Sequence, residues 1–326
     1  MSARASPGVQ ASPRVSVVTP FYNTEPFLKE CIESVLSQTY GDFEYVLANN
    51  RSTDGSFDIA QSYARKDSRI RLVDCETHVG QVPNYNRAIA RISPESEYCK
   101  VVQADDWIYP ECIEKMVDLA RQNPTVGLVS SYYFHGRNIS GVGLPPERSV
   151  VAGREVCRMQ LLDNSRFFFG SPTTVFYRTA ALRGRNPVYS ESALHEDTEL
   201  CYELLRTWDF GFVHQILSYS RTENASVTQS VRDHGLTLLD HFINVSKFGK
   251  EYLSEEELTP CLARSHSRYM RFLGTSLLRS RGERFWDYHA RGLRSIGQSL
   301  SKRKLVFPYV VLGLWGALRR RLAGQA

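Results

Sequence analysis

The sequence predicts an α/β protein: a mostly parallel sheet with flanking helices, followed by a C-terminal helical region. Three observations carry this. Up to Ser131, short β-type apolar runs alternate with stretches of helical spacing, the pattern of βαβ units. The residues just after the runs are strongly polar. From Val231 onward the pattern turns to helices only.

The elements follow in order. Val15–Pro20 (VSVVTP) reads as a strand. Pro26 to Gln38 places Phe27, Leu28, Cys31, Ile32, Val35 and Leu36 at helical spacing, with Thr24 as N-cap and Pro26 in the first turn. Phe43–Ala48 is a strand, and Asp54 or Ser56 caps a helix running to about Arg65. Ile70–Asp74 is a strand, Gln81–Ile92 a helix, Tyr98–Gln103 a strand, Pro110–Gln122 a helix and Val126–Ser131 a strand. Phe134–Val150 mixes Gly, Pro and Arg without period and reads as a mobile loop. Thr173–Arg178 returns to strand character, Glu196–Thr207 is helical, and Phe210–Gln215 is another strand.

The chain has 326 residues, 42% of them hydrophobic and 23% charged, a globular composition that allows one large domain or a domain plus an appendage. The seven cysteines form no C-x-x-C pair and mostly lie in apolar runs, so buried free thiols in a reducing compartment are expected. MSARASPGVQASPR lacks an apolar core segment and reads as a disordered tail, not a signal peptide. From Val231 onward 17 Lys+Arg face 8 Asp+Glu; the rest of the chain carries 23 against 27. That asymmetry points the C-terminal region at an anionic partner.

Leu305–Leu318 is an apolar run of 14 residues bracketed by Lys302-Arg303-Lys304 and Arg319-Arg320-Arg321. A comfortable membrane span needs about 20 residues. With Phe307, Tyr309 and Trp315, residues 302–321 read as a segment lying on an anionic membrane surface. The alternative is a helix closing the core of the C-terminal bundle.

In an open parallel sheet, ligands bind beyond the C-terminal ends of the strands. Thr19–Asn23, Asn49–Asp54, Asp74 and Gln103–Asp106 occupy those positions and outline one cleft. Asp105 and Asp106, side by side, repel unless a cation screens them or one is protonated. Hard oxygen ligands in an open loop suit Mg²⁺ or Mn²⁺, which shares its shell with phosphates. The dipeptide alone also allows a helix cap or two solvated carboxylates.

Four motifs stand in order: P-F-Y-N at Pro20–Asn23, N-N-R-S-T-D-G-S at Asn49–Ser56, Q-A-D-D-W-I-Y-P at Gln103–Pro110 and H-E-D-T-E-L at His195–Leu200. Together they resemble the family 2 inverting glycosyltransferases with a GT-A fold, over roughly Val15 to Gln229. The resemblance implies a nucleotide-sugar-dependent transferase with its GT-A domain at 15–230, followed by a basic helical region at 231–326. It implies a donor site of Pro20, Tyr22, Asn23, Asn49, Asn50, Arg51, Asp54, Gln103, Asp105 and Arg221. Of these, Asn49, Asn50, Arg51 and Gln103 depart from the family's usual acids and glycine, which leaves a UDP-sugar the expected donor on weaker support. The metal falls to Asp106, with Asp105 on a ribose hydroxyl or sharing the ion. Glu223 stands where the family usually has a His near the diphosphate and is a further oxygen ligand. Asp197 is the implied general base; Glu196, His195 and Trp107 are placed on the acceptor side.

The implied reaction moves a sugar to a hydroxyl of a glycan or lipid-linked acceptor in one metal-assisted displacement. Such chemistry belongs to polysaccharide biosynthesis in the cytoplasm, at the inner face of a membrane. A degenerate relative that binds a sugar nucleotide or glycan without turnover is the alternative. A nucleotidyltransferase would want a Gly-rich, basic phosphate loop after the first strand, which T-P-F-Y-N does not supply. Nucleic acid is not an expected partner.

Overall fold

Runs rich in β-branched and aromatic residues, such as VSVVTPF and FEYVLAN, are buried along almost their whole length. That is the signature of inner strands covered on both faces. The computed structural model describes residues 14–163, 168–222, 235–279 and 281–301. Among them the strands are β1 (Val15–Phe21), β2 (Phe43–Asn49), β3 (Ile70–Asp74), β4 (Tyr98–Val101), β5 (Trp107–Ile108), β6 (Val126–His135), β7 (Asn138–Ser140), β8 (Val150–Val151), β9 (Phe176–Arg178) and β10 (Asp209–Ser220). They form one sheet in the order β3-β2-β1-β4-β9-β6-β10-β5, with β7 on β6 and β8 on β10. The β3-β2-β1-β4 half is parallel, and β6 pairs parallel with β10. β9 runs antiparallel to both β4 and β6 and joins the two halves.

The alternation of side chains along each strand builds two cores. Val15, Val17, Tyr45 and Leu47 point to one face. They meet α1 (Glu25–Leu36), α2 (Ser56–Ala64) and α4 (Cys112–Gln122). Helix α1 buries Leu28, Cys31, Ile32 and Val35, an i, i+3, i+4, i+7 stripe. Val18, Val46, Ala48 and Val101 point to the other face. There they meet α3 (Gln81–Ile89), α5 (Gly153–Leu162) and α7 (Glu196–Leu204), while the short α6 (Thr179–Leu182) follows β9.

The C-terminal helices are α8 (Leu236–Tyr252), α9 (Glu255–Leu277) and α10 (Glu283–Arg294). Ser254 and Glu257 start α9 with a reciprocal capping box. Helix α8 serves two cores. Val245, Phe248 and Tyr252 join the sheet's core, while Leu239, Phe242 and Ile243 pack with Tyr269, Leu273, Phe285 and Leu293 of α9 and α10. Helix α8 is therefore continuous with the sheet's packing and ties α9 and α10 to it.

Three readings of local structure change. The expected loop from Phe134 begins as a hairpin: β6 runs on to His135, and Gly136 (φ 59) turns the chain into β7. A left-handed first turn position suits glycine. Within the expected strand Thr173–Arg178, Pro172–Thr174 is a 3₁₀ turn and only Phe176–Arg178 is strand. Helix α5 has Val156, Cys157, Gln160 and Leu161 as its buried stripe, a period that the sequence reading passed over. All seven thiols are free and six are buried, Cys75 being partly exposed. Residues 1–13 and the apolar–basic segment 302–321 lie outside the described residues.

Candidate active site

The loops after β1 and β2 hold each other. Asn23 (φ 49) and Arg51 (φ 65) adopt left-handed backbone. Asn23 Oδ1 accepts from Thr53 N (2.8 Å), and its Nδ2 donates to Thr53 Oγ1 (3.1 Å). Asp54 accepts from Ser56 N (3.0 Å) and Glu25 N (3.1 Å), satisfying amides in the first turns of α2 and α1. Burial pushes the pKa of Asp54 up, but the bonds from Ser56 and Glu25 outweigh this and hold it below the usual carboxylate range.

Four residues expected at the donor site are engaged by the fold itself. Asn49 donates to Asp74 Oδ1 (2.8 Å) and accepts from Ser52 N (3.0 Å). Asn50 donates to Val79 O (2.8 Å) and accepts from Val79 N (3.0 Å). Both amides are buried, and each donates one hydrogen bond to the protein and accepts one from it. Pro20 is buried inside β1, paired with Ala48. Asp54 is a lock between two helix starts. What stays open at this end is a pocket of about 340 Å³ lined by Asn49, Arg51, Ser52, Thr53, Phe57 and Asp74. Arg51 Nη1 stands 3.8 Å from Asp74 Oδ2 at its edge. Tyr22 is exposed, its ring 4.3 Å from that of His78.

The acidic corner follows β4. Gln103 donates its backbone N–H to Thr173 Oγ1 (3.0 Å) and its amide Nε2 to Tyr85 Oη (3.1 Å), and accepts from Ser171 Oγ (2.8 Å). Asp106 is 3% exposed. Its Oδ2 accepts from Thr173 Oγ1 (2.7 Å) and Ser220 Oγ (3.1 Å), and its Oδ1 from Arg221 N (2.9 Å). Burial, and then the charge of Asp105, raise its pKa to about 7. Asp106 is an internal anchor with both oxygens in use, and Asp105 is the more exposed carboxylate.

Arg221 is likewise turned inward. Its Nε donates to Asp105 O (3.0 Å), Nη2 pairs with Glu30, and the guanidinium lies 4.8 Å from the Phe27 ring. The expected phosphate fork is thus held against α1. Glu223 lies outside the described residues. Trp107 stacks on Tyr219 across β5 and β10 (5.0 Å, 10°), so one ring face is taken by the fold.

The second acidic pair opens α7. Burial raises the pKa of Glu196 to about 7, with Asp197 adding to the effect. Burial also raises Asp197, against the pull of His195. Asp197 Oδ1 accepts from Thr198 N (2.7 Å). His195 Nε2 lies 3.2 Å from Tyr288 Oη, which ties this helix start to α10. Two tyrosines each feel a carboxylate from both acidic pairs. Burial raises both hydroxyl pKa values, Tyr133 to about 12. Tyr85 also feels the charge of Asp105 and Glu196; Tyr133 that of Asp197 and Asp106. Gln103–Asp106 and Glu196–Asp197, about ninety residues apart in sequence, therefore share one neighbourhood.

Sequence reasoning placed Asp74 in the cleft, as the pocket bears out, but gave no site role to Tyr85, Lys100, Tyr133, Thr173, Ser220 or Glu30. Only Lys100 carried a visible signal: a charge inside the apolar run YCKVV. Among the described residues no three His, Cys, Asp or Glu side chains stand together as a self-sufficient metal cage.

The profile of Glycosyl transferase family 2 matches residues 16–185, just over half of the chain. The chain belongs to glycosyl transferase family 2. Among similar family members, the uncharacterized glycosyltransferase EpsJ of Bacillus subtilis is 36% identical over 111 residues, 34% of this chain and 31% of that protein. An uncharacterized glycosyltransferase of Haemophilus influenzae is 25% identical over 239 residues, 73% of this chain and 90% of that protein. The matches to EpsJ, GlyG and EpsH span only 31%, 39% and 31% of those relatives' lengths. The crystal structure of S. aureus TarS 1-349 in complex with UDP superposes with a TM-score of 0.59 at 21% identity, over 87% of this chain and 80% of that one. The mannosyltransferase PcManGT of Pyrobaculum calidifontis, in complex with GDP-Man and Mn²⁺, gives 0.57 at 16% identity, over 96% and 82%. These likenesses speak for a shared GT-A-type fold.

Proposed function

We propose that this family 2 chain transfers a sugar from a nucleoside-diphosphate donor to an acceptor hydroxyl with inversion. One observation carries the reading: at the polar end of the sheet Tyr85 feels the charges of Asp105 and Glu196, Tyr133 those of Asp197 and Asp106, and Asp106, Glu196 and Asp197 are raised in pKa by burial. The pocket of Arg51, Ser52, Thr53, Phe57 and Asp74 takes the nucleoside. Asp74 offers a carboxylate to a base N–H such as that of uracil, which keeps a UDP-sugar as the expected donor. TarS in complex with UDP-GlcNAc and PcManGT in complex with GDP-Man support a nucleotide sugar.

Asp197 accepts the proton of the acceptor hydroxyl as that oxygen attacks the anomeric carbon; among the described residues only its Oδ1 is hydrogen-bonded, and burial makes it a stronger base. Glu196 and His195 shape the acceptor side. Asp105, with Asp106 behind it, fits a divalent cation of the Mg²⁺ or Mn²⁺ type, which takes one or two carboxylates and completes its shell with water and phosphate. When bound, that ion supplies charge neutralisation for the departing diphosphate.

The acceptor reading is a glycan or lipid-linked hydroxyl presented at an anionic membrane surface. Among the described residues no helix is long and apolar enough to cross a membrane. Arg279, Arg281, Arg284, Arg291 and Arg294 lie in or just before α10, leading toward the basic C-terminal segment. Flotation with anionic but not zwitterionic vesicles tests the contact; no binding to either removes it.

The central test is a screen of UDP- and GDP-sugars with Mn²⁺ or Mg²⁺, reading nucleoside diphosphate release and the anomeric configuration of the product. A β-linked product from an α-linked donor is expected. Binding without turnover would favour the sugar-nucleotide-binding alternative, and retention of configuration would remove the single displacement.

A further inference from the structure

Lys100 sits in the middle of β4 with no exposed surface. Its Nζ donates to the carbonyl oxygens of Thr173 and Val175, the latter at 3.3 Å, and lies 4.0 Å from Met116 Sδ. Burial pushes its pKa down. A buried charge is costly, and an apolar side chain of similar volume is often as stable in such a place. The groups that Lys100 holds give it a different use. The Thr173 carbonyl takes the ammonium. The Thr173 hydroxyl donates to Asp106 Oδ2 at 2.7 Å and accepts from the Gln103 N–H at 3.0 Å. Gln103 and Asp106 bracket Asp105 in the chain. One turn thus links a cation inside the sheet to both flanks of the carboxylate on its rim.

We propose that Lys100 is a positioning residue of the donor site: it clamps the Pro172–Thr174 turn, so that Thr173 fixes Gln103 and Asp106 and, between them, the backbone that presents Asp105. This rests on the reading of Asp105 as a donor-side acid. Lys100 touches neither donor nor acceptor in this arrangement; it acts through Thr173.

Two amides report on the clamp without any donor present. The Gln103 N–H is bonded to Thr173 Oγ1 and the Arg221 N–H to Asp106 Oδ1. In Lys100→Met, hydrogen exchange at both speeds up by about tenfold, the order of one lost hydrogen bond, while the β2 amides keep their wild-type rates. Thr173→Val cuts the next link and leaves the lysine in place; exchange at Arg221 speeds up in the same way. In the donor assay each variant raises the donor KM by about tenfold and leaves kcat near wild type, and the double variant is no worse than either single one. Wild-type exchange at both amides in Lys100→Met overturns the clamp, as do KM effects that multiply in the double variant. If Lys100→Met fails to fold, the Arg221 amide in Thr173→Val decides. Should the wild-type chain bind no nucleotide sugar, the donor-site reading falls, while the clamp stands or falls on the exchange rates.

Discussion

Around the ends of β1 and β2, polar side chains find partners within the loops themselves: Asn23 with Thr53, Asn49 with Asp74 and Ser52, Asn50 with Val79, Asp54 with Ser56 and Glu25. Around β4 and α7 the polar groups are carboxylates in adjacent pairs, buried enough that Asp106 and Glu196 are each raised to about 7. The first region spends its hydrogen bonds on a fixed shape. The second keeps carboxylates under electrostatic strain, where a cation, a proton or a substrate lowers the energy. Binding surfaces profit from the first kind of construction and proton transfer from the second.

The sharpest way to break this contrast is at Asp197. Asp197→Asn keeps the size of the side chain and removes its basicity. Turnover should fall by about a thousandfold, within the range for loss of a general base. Donor affinity by calorimetry should stay near wild type, since the nucleoside pocket is built from other residues. Normal turnover would take the base assignment away and leave the buried pair without a chemical task.

The strain at the α7 start predicts a pH dependence of stability. The ordinary carboxyl value for Glu196 is 4.5, and the folded value is about 7. Between those values the folded chain holds a proton that the unfolded chain has released. Stability from this group is therefore full at low pH, declines as pH rises through that window, and is lost above about 7. Relative to Glu196→Gln, the wild type should lose about 2 kcal/mol of unfolding free energy between pH 5 and pH 8. Parallel denaturation profiles for the two proteins would mean that Glu196 is solvated like a surface acid.

The two regions also differ in how far the sequence betrays them. The parallel half of the sheet was legible because inner strands such as VSVVTP and FEYVLA announce themselves by largely apolar runs. The position of the cleft followed from strand ends, and the motifs named the acids. Individual roles did not follow, because they depend on partners distant in sequence. Nothing in Q-A-D-D says that Thr173, Ser220 and the Arg221 amide converge on the second aspartate and not the first. Likewise, nothing in N-N-R-S says that one amide bonds Asp74 and the other Val79. The antiparallel β9, three residues long, carries too little pattern to be assigned a direction from sequence.

Asn49 turns one of those departures into a test. The family resemblance places an acid here, yet this chain has an asparagine whose Nδ2 lies 2.8 Å from Asp74 Oδ1. An aspartate at 49 would set two carboxylates against each other at the rim of the pocket that Arg51 and Asp74 line. Asn49→Asp should cost about 1–2 kcal/mol in urea denaturation, and Asp74→Asn should recover most of it in the double variant. Independent, additive losses would show that the two side chains do not read one another, and the first region would be less interlocked than its hydrogen bonds imply.

The smallest expected effect lies where the two regions touch. Glu30 on α1 pairs with Arg221, whose backbone N–H and Nε serve the acidic corner. The Glu30 side chain is 58% exposed, so the pair contributes little to stability, under about 0.5 kcal/mol. Its effect on function is separate. With Glu30→Gln the guanidinium keeps its contact to Asp105 O and its place near Phe27, but no longer shares its charge with a carboxylate. A diphosphate entering beside Asp105 then meets a more positive corner, and the donor KM should fall by about twofold at low ionic strength. The gain should shrink as salt is added, because a pair this exposed is readily screened. A donor KM that rises instead would show that Glu30 holds Arg221 in its working position, which would make that ion pair part of the fixed scaffold and not a brake on the site.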